Sequence, residues 1–250
     1  MNSQHNHETP SRFRTDLKDQ ARAFTEAADY LERRTGEGSG RAASFERQKA
    51  LIKGWAQDRE ALIPEELLLA LTLVSDSTSE HVVRFDTVRQ RAVKVTLAGV
   101  YGQIPVVEGG FLSRQNATPA EYLRRMALQI EVFASDLLLE GATTSDKPSL
   151  VLFQPPGEPS FVVSQEWFSD LTAPDLDEIA HYMGIEQFVP VPNSYFGWWR
   201  PDDLVAVVDA KPDNFAKTTA GIVPLDLQMA VFSIEEATKA GLPLNVQEPQ

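Results

Sequence analysis

Between Val207 and Gln228 the chain reads VVDAKPDNFAKTTAGIVPLDLQ, and among its polar side chains are Asp209, Lys211, Asp213, Asn214 and Asp226. These are residue types that can work on a phosphate. A carboxylate can accept the proton of an attacking hydroxyl, and a lysine ammonium can balance charge on a transferring phosphoryl group. An asparagine and an aspartate can offer oxygen ligands to magnesium. Pro212 fixes a turn between Asp209 and Asn214, and Asp226 follows the apolar strand pattern Gly221–Leu225. Two strand ends would then present a carboxylate, a lysine, an amide and a second carboxylate at one mouth. The plainer alternative is a solvated polar turn, for which this composition is ordinary.

Phosphoryl transfer makes demands on the elements upstream. A lysine held on a strand can grip nucleotide phosphates, and a glutamate beside it can orient that lysine. Three β-type segments, 71–75, 81–86 and 92–96, are separated by SDSTS and DTVRQR and predict an antiparallel meander, with Lys94 inside the third. A loop with Gly99, Gly102, Gly109 and Gly110 leads to a helix predicted over 119–138, capped by Thr118. At about 100° per residue its apolar face collects Leu123, Met126, Ala127, Ile130, Ala134 and Leu137. Glu131 falls at the rim of that face and is the expected partner of Lys94, whereas Glu121 falls on the far side with Arg124 and Arg125. Taken singly, a strand lysine is more often a solvated edge residue and a rim glutamate more often surface charge.

Strands are predicted at 150–153 and 161–164, and a helix at 174–188. After the second strand come Gln165-Glu166-Trp167, with Trp167 read as a core-edge aromatic. Strands, a long helix, further strands, a helix and a charged hairpin make an α+β fold rather than an alternating β/α one. Ahead of this lie a polar tail and an amphipathic helix over 11–34, ended by TGEGSG. We therefore divide the chain into an extension, 1–43, and a main domain, 44–250, in which Ser44 is read as the N-cap of a helix over 45–57 and Pro64 as the stop after it. His5 and His7 read as part of the solvated tail, and His81 and His181 as structural. Tyr195, Phe196, Trp198 and Trp199 read first as packing and second as a partner or substrate surface.

Composition narrows the classes. Hydrophobic residues make up 42% and charged residues 24%, enough for a core. The net charge of −13 argues against nucleic acid as a partner, and the absence of cysteine excludes disulfides, thiol catalysis and cysteine-ligated zinc. The start is polar, without a signal-like apolar run, and the best apolar stretch, 67–74, is too short to span a bilayer. A cytoplasmic protein without a membrane partner is expected.

Asp209-Ala210-Lys211-Pro212-Asp213-Asn214 resembles the catalytic loop of protein kinases, Asp-x-Lys-Pro-x-Asn, and Leu225-Asp226-Leu227 falls where the metal-binding Asp of Asp-Phe-Gly stands. More narrowly, SEHVVRFD, RAVKVT, EYLRRMALQIEVFASDLLLEG, SLVLFQP and VDAKPDN are similar to the Ser/Thr/Tyr kinase-like domain of polyvalent proteins of phages and conjugative elements, over roughly residues 44–230. The resemblance implies a compact kinase-like α+β domain with a small antiparallel sheet, one long helix and a reduced C-terminal lobe. It implies ATP and Mg²⁺ as cofactors. Lys94 would hold phosphates, Glu131 would orient it, and Glu166 and Trp167 would lie beside the base. Asp209 and Lys211 would be catalytic, and Asn214 and Asp226 would bind metal.

The chain departs from the kinase pattern in three places. Ser75–Glu80 stands without glycine where a Gly-rich loop is expected. Val207-Val208 and Leu227-Gln228 replace the usual neighbours of the two aspartates, and the stretch after Asp226 is too short for an ordinary activation loop. These departures leave room for a non-catalytic pseudokinase-like module, docking a partner through the N-terminal helix or the Tyr195–Trp199 cluster. A third reading is a structural or inhibitory protein whose acidic charge meets a basic partner.

Overall fold

The computed structural model describes residues 11–36, 38, 40–75, 80–147, 155–169 and 172–245, with side chains from residue 16 onward. It is an α+β fold built on two main antiparallel sheets. The first has the order β1-β2-β3-β7-β6, from Thr72–Ser75, His81–Asp86, Arg91–Thr96, Pro159–Glu166 and Leu137–Thr144. Its two faces follow from strand alternation. Val93, Val95 and Val162 pack with Val82 and with Leu68 of the short helix α3 (Glu65–Leu69). Phe161 and Val163 face the opposite way, into a core shared with three helices. These are α1 (Ser11–Thr35), α2 (Arg41–Asp58) and α4 (Pro119–Phe133). Phe24, Leu31, Ile52, Trp55, Tyr122 and Leu123 fill that core, so the N-terminal helix is part of it.

The second sheet has the order β13-β10-β9-β8, from Gln228–Val231, Val205–Val208, Trp198–Arg200 and Val189–Pro190. One face packs Val205, Val207 and Met229 against Ile179 and Met183 of α5 (Leu176–Ile185). The other packs Ala206, Val208 and Trp199 against Leu112, Phe232 and Ala237, the last from α6 (Ile234–Lys239). β10 is buried along its whole length because both faces are covered.

Several boundaries differ from the sequence reading. Residues 103–116, expected as a glycine loop, form a hairpin of β4 (Gln103–Glu108) and β5 (Phe111–Asn116). Gly109 and Gly110, both at positive φ, make its two-residue turn. α4 stops at Phe133 rather than Leu138, because Ala134 takes a left-handed conformation (φ 50°), and Leu137 begins β6. α2 starts three residues ahead of Ser44, which lies inside the helix, with Gly40 at the N-cap. Pro64 does not end an element but caps the start of α3. The Thr118 cap is present as a full capping box with Glu121. The strand expected at 150–153 and the tail histidines lie outside the described residues. The aromatic cluster divides: Trp199 is fully buried and its Nε1 donates to the Pro243 carbonyl at 2.7 Å, whereas Tyr195 and Phe196 are exposed.

Candidate functional site

The residues between β10 and β13 do not form one hairpin. β10 runs into the Asp209 turn, a 3-10 turn spans Pro212–Asn214, and the hairpin of β11 (Phe215–Thr218) and β12 (Gly221–Pro224) follows before Asp226. This path folds Asn214 back beside Leu225, whose N–H donates to the Asn214 carbonyl at 2.8 Å. The Asn214 side chain in turn holds Asp209: its Nδ2 donates to the Asp209 carbonyl at 2.6 Å and to Asp209 Oδ2 at 2.9 Å. Asp209 sits at φ 59°, a left-handed conformation that aspartate tolerates better than most residues. Lys211 Nζ lies 3.5 Å from Asp209 Oδ2. The loop's Asp213 is exposed.

Lys94 reaches this segment from the first sheet. It is paired across the ladder with Val163, and directly opposed residues share a face, so its side chain leaves the sheet on the α4 side. Its ammonium donates to the Leu225 carbonyl at 2.8 Å. Burial pulls its pKa down, against the opposing pull of Asp226 and Glu80. Lys94, Asp209, Lys211, Asn214 and Asp226 are thus brought together from segments far apart in the chain.

Glu131 is not brought there. It is exposed on α4 and lines a cavity of about 500 Å³ with Thr25, Arg124, Arg125, Leu128 and Val231. The early end of α4 removes the neighbours that had placed Glu131 at the rim. One helix residue that does face the site is Arg125, expected on the far side but fully buried. Its guanidinium pairs with Glu80, with Nη1 to Oε2 at 3.2 Å and a shorter Nη2–Oε1 contact, and lies 3.4 Å from Asp226 Oδ1. Glu80, just ahead of β2, is therefore a second carboxylate, after Asp226, whose charge acts on Lys94. Its neighbours 76–79 in the glycine-free loop lie outside the described residues.

This cluster has strong electrostatics. Burial lifts the Glu80 carboxyl to about 7, helped by Asp226 and opposed by Arg125. Burial would raise Asp226 as well, but Arg125 and Lys94 outweigh it and hold its pKa below the ordinary value. His81, buried against Tyr122 with Nε2 3.1 Å from the phenol oxygen, is driven down to about 3 by burial and is neutral. Glu80, His81 and Asp226 place ligand atoms within 4.8 Å of one another, Asp226 coming from a distant segment. Arg125 and Lys94 already answer the negative charge of that trio.

Gln129, on the same helix, fixes the Asp226 segment from both sides. Its Nε2 donates to the Pro224 carbonyl at 3.3 Å and its Oε1 accepts from Leu227 N–H at 3.2 Å. Arg125 and Gln129 are four apart and share a helix stripe, the one signal that could have found them together. Glu166 is exposed at the end of β7. The Trp167 ring lies 4.5 Å from that of Phe85 with a tilt of 33°, and its backbone N–H donates to the Gln90 carbonyl at 3.1 Å, so that donor is engaged.

Comparison of the chain with known families, with curated proteins and with solved structures finds no match. No described helix is long and apolar enough to cross a membrane.

Proposed function

We propose that the protein is a kinase-like phosphotransferase that uses ATP and Mg²⁺. The observation that carries the reading is the Lys94 bond to Leu225, which joins the third strand of the first sheet to the residue before Asp226. Asn214 closes the other side of the same segment and reaches Asp209. Asp226 and Asn214 offer only oxygen donors, the kind that magnesium takes, and 31% of the Asp226 side chain is open to solvent. Bound there, the ion would neutralise charge on the β- and γ-phosphates.

The protein's own groups do the rest in this reading. Lys94 supplies positive charge to the nucleotide phosphates, and the carboxylates that act on it are Asp226 and Glu80 rather than a helix glutamate. Lys211 balances the transferring group, and Asp209 orients the acceptor hydroxyl and takes its proton. The test is ADP release from Mg-ATP. The wild type should turn over slowly with water as acceptor, and Asp209→Asn should lower the rate by about 10²–10⁴-fold. Equal rates in the two proteins would contradict the role given to Asp209.

A non-catalytic module of a phage or mobile element is favoured by a different observation: Asp226 is already charge-paired by Arg125, and no carboxylate of α4 meets Lys94. That reading requires the wild type to release no ADP.

A further inference from the structure

Asp209 uses its two carboxylate oxygens differently. Oδ2 accepts from Asn214 at 2.9 Å and from Gln228 Nε2 at 3.4 Å, and faces Lys211. Oδ1 is buried and accepts no hydrogen bond. The cation beside it is Arg114, with Nη1 at 3.6 Å, too long for a hydrogen bond. Arg114 stands on β5, opposite Pro105, in the hairpin that the second sheet holds through Leu112 and Val107. Its guanidinium lies over the Tyr195 ring, 4.6 Å from the centroid, and the Tyr195 carbonyl accepts from the Asp209 N–H at 3.2 Å. The arginine is therefore seated against the loop that carries Asp209. Among the described residues no acceptor takes a hydrogen bond from it, so its N–H donors are unspent. Its side chain is 34% exposed, against 10% for Asp209.

We propose that Arg114 is a binding residue for the phosphoryl acceptor, and that the acceptor is a small hydroxyl compound carrying a carboxylate or phosphate near that hydroxyl. This rests on the phosphotransferase reading of the same site. Oδ2 is engaged, so the oxygen left to take a hydroxyl's proton is Oδ1, buried beside the partly exposed Arg114. In the step, the acceptor oxygen bonds to the γ-phosphorus and its proton passes to Oδ1. The bond to the leaving ADP breaks with its electron pair on ADP. An anionic group on the acceptor would receive the planar, bidentate fork of the guanidinium, which suits carboxylate and phosphate geometry. It would also compensate Arg114 once its partner Asp209 becomes protonated. A neutral acceptor would leave that arginine with no partner, in a chain of net charge −13 that has few cations to spare.

The experiment compares glycerol 3-phosphate with glycerol, which share hydroxyls and differ in the anion. Binding to the full chain is followed by calorimetry and ligand-observed NMR, with Mg²⁺ and a non-hydrolysable ATP analogue filling the nucleotide site. Glycerol 3-phosphate should bind saturably and glycerol should not. Arg114→Ala should weaken the former about tenfold or more, the size expected for lost charge-assisted bonds, and Arg114→Lys should fall between. Analogue affinity should stay within about twofold in both variants, which also reports that they are folded. Equal behaviour of the two glycerols, no binding of either, or an unchanged affinity in Arg114→Ala would overturn the acceptor proposal while leaving the nucleotide site intact. Failure of the wild type to bind the analogue would overturn the phosphotransferase reading itself, and the acceptor proposal with it.

Discussion

Among the described ion pairs, Arg125 and Glu80 are the most deeply buried, Arg125 wholly and Glu80 nearly so. Removing one partner leaves the other charge buried alone. Arg125→Met should therefore lose about 3–5 kcal/mol in urea unfolding, and adding Glu80→Gln should restore part of the loss. A double variant no better than the single one would mean that packing of the arginine stem, not charge, dominates. His81 gives a pH signature of definite sign. Its folded pKa is about 3 while the unfolded chain titrates near its ordinary value, so the unfolded state binds the extra proton as pH falls below about 6.5. Its contribution is thus present at neutral pH and lost toward pH 3. Glu80, lifted to about 7, acts with the opposite sign between about 7 and 4.5. In metal-free buffer, His81→Asn should lose less melting temperature than the wild type between pH 7 and pH 4. Parallel curves would exclude a neutral buried histidine.

The elements explain why these residues were hard to see beforehand. The helical periodicity of α4 was legible, as were Thr118 and the strand carrying Lys94. Assigning a polar side to α4 failed because the helix is enclosed: Tyr122, Leu123, Arg125, Met126 and Gln129 are all buried, on more than one face. α1 covers one flank and the β4–β5 hairpin another, and neither packing can be read from the helix's own residues. The hairpin did carry a signal. Its Gly109-Gly110 pair, flanked by apolar residues, is a strong two-residue turn pattern, and overlooking it hid Arg114 as well. Gly102, just ahead of β4, shows how closely the hairpin and the charge cluster are fitted. It has φ 67°, and a Cβ there would run into Glu80 and Arg125. Gly102→Ala should cost about 2–4 kcal/mol, combining left-handed strain with overpacking, read from the urea midpoint. An unchanged midpoint would mean that the Glu80–Arg125 contact is looser than described.

Across the molecule, the two sheets supply different halves of one candidate site. The first brings Lys94, α4 brings Arg125 and Gln129, and the second brings Asp209 with its turn. The short-range pattern Asp209–Asn214 was legible because turn chemistry is local, whereas Glu80, Gln129 and Arg114 join the site only through tertiary packing. α1 belongs to this assembly. Phe24 is fully buried in the core shared with Tyr122 and Phe161, so Phe24→Ala should destabilise the whole chain by about 3–5 kcal/mol in one cooperative transition. A separate low-stability transition would show instead that the N-terminal helix is an appendage.

The central claim is that Lys94, Asp209 and Asp226 serve one metal-dependent nucleotide site, and calorimetric titration of ATP with and without Mg²⁺ tests it most directly. The account predicts binding that requires Mg²⁺, is lost in Asp226→Ala, and survives in Asp209→Ala. Absence of binding to folded wild type at millimolar ATP, or equal binding by wild type and Asp226→Ala, would contradict it.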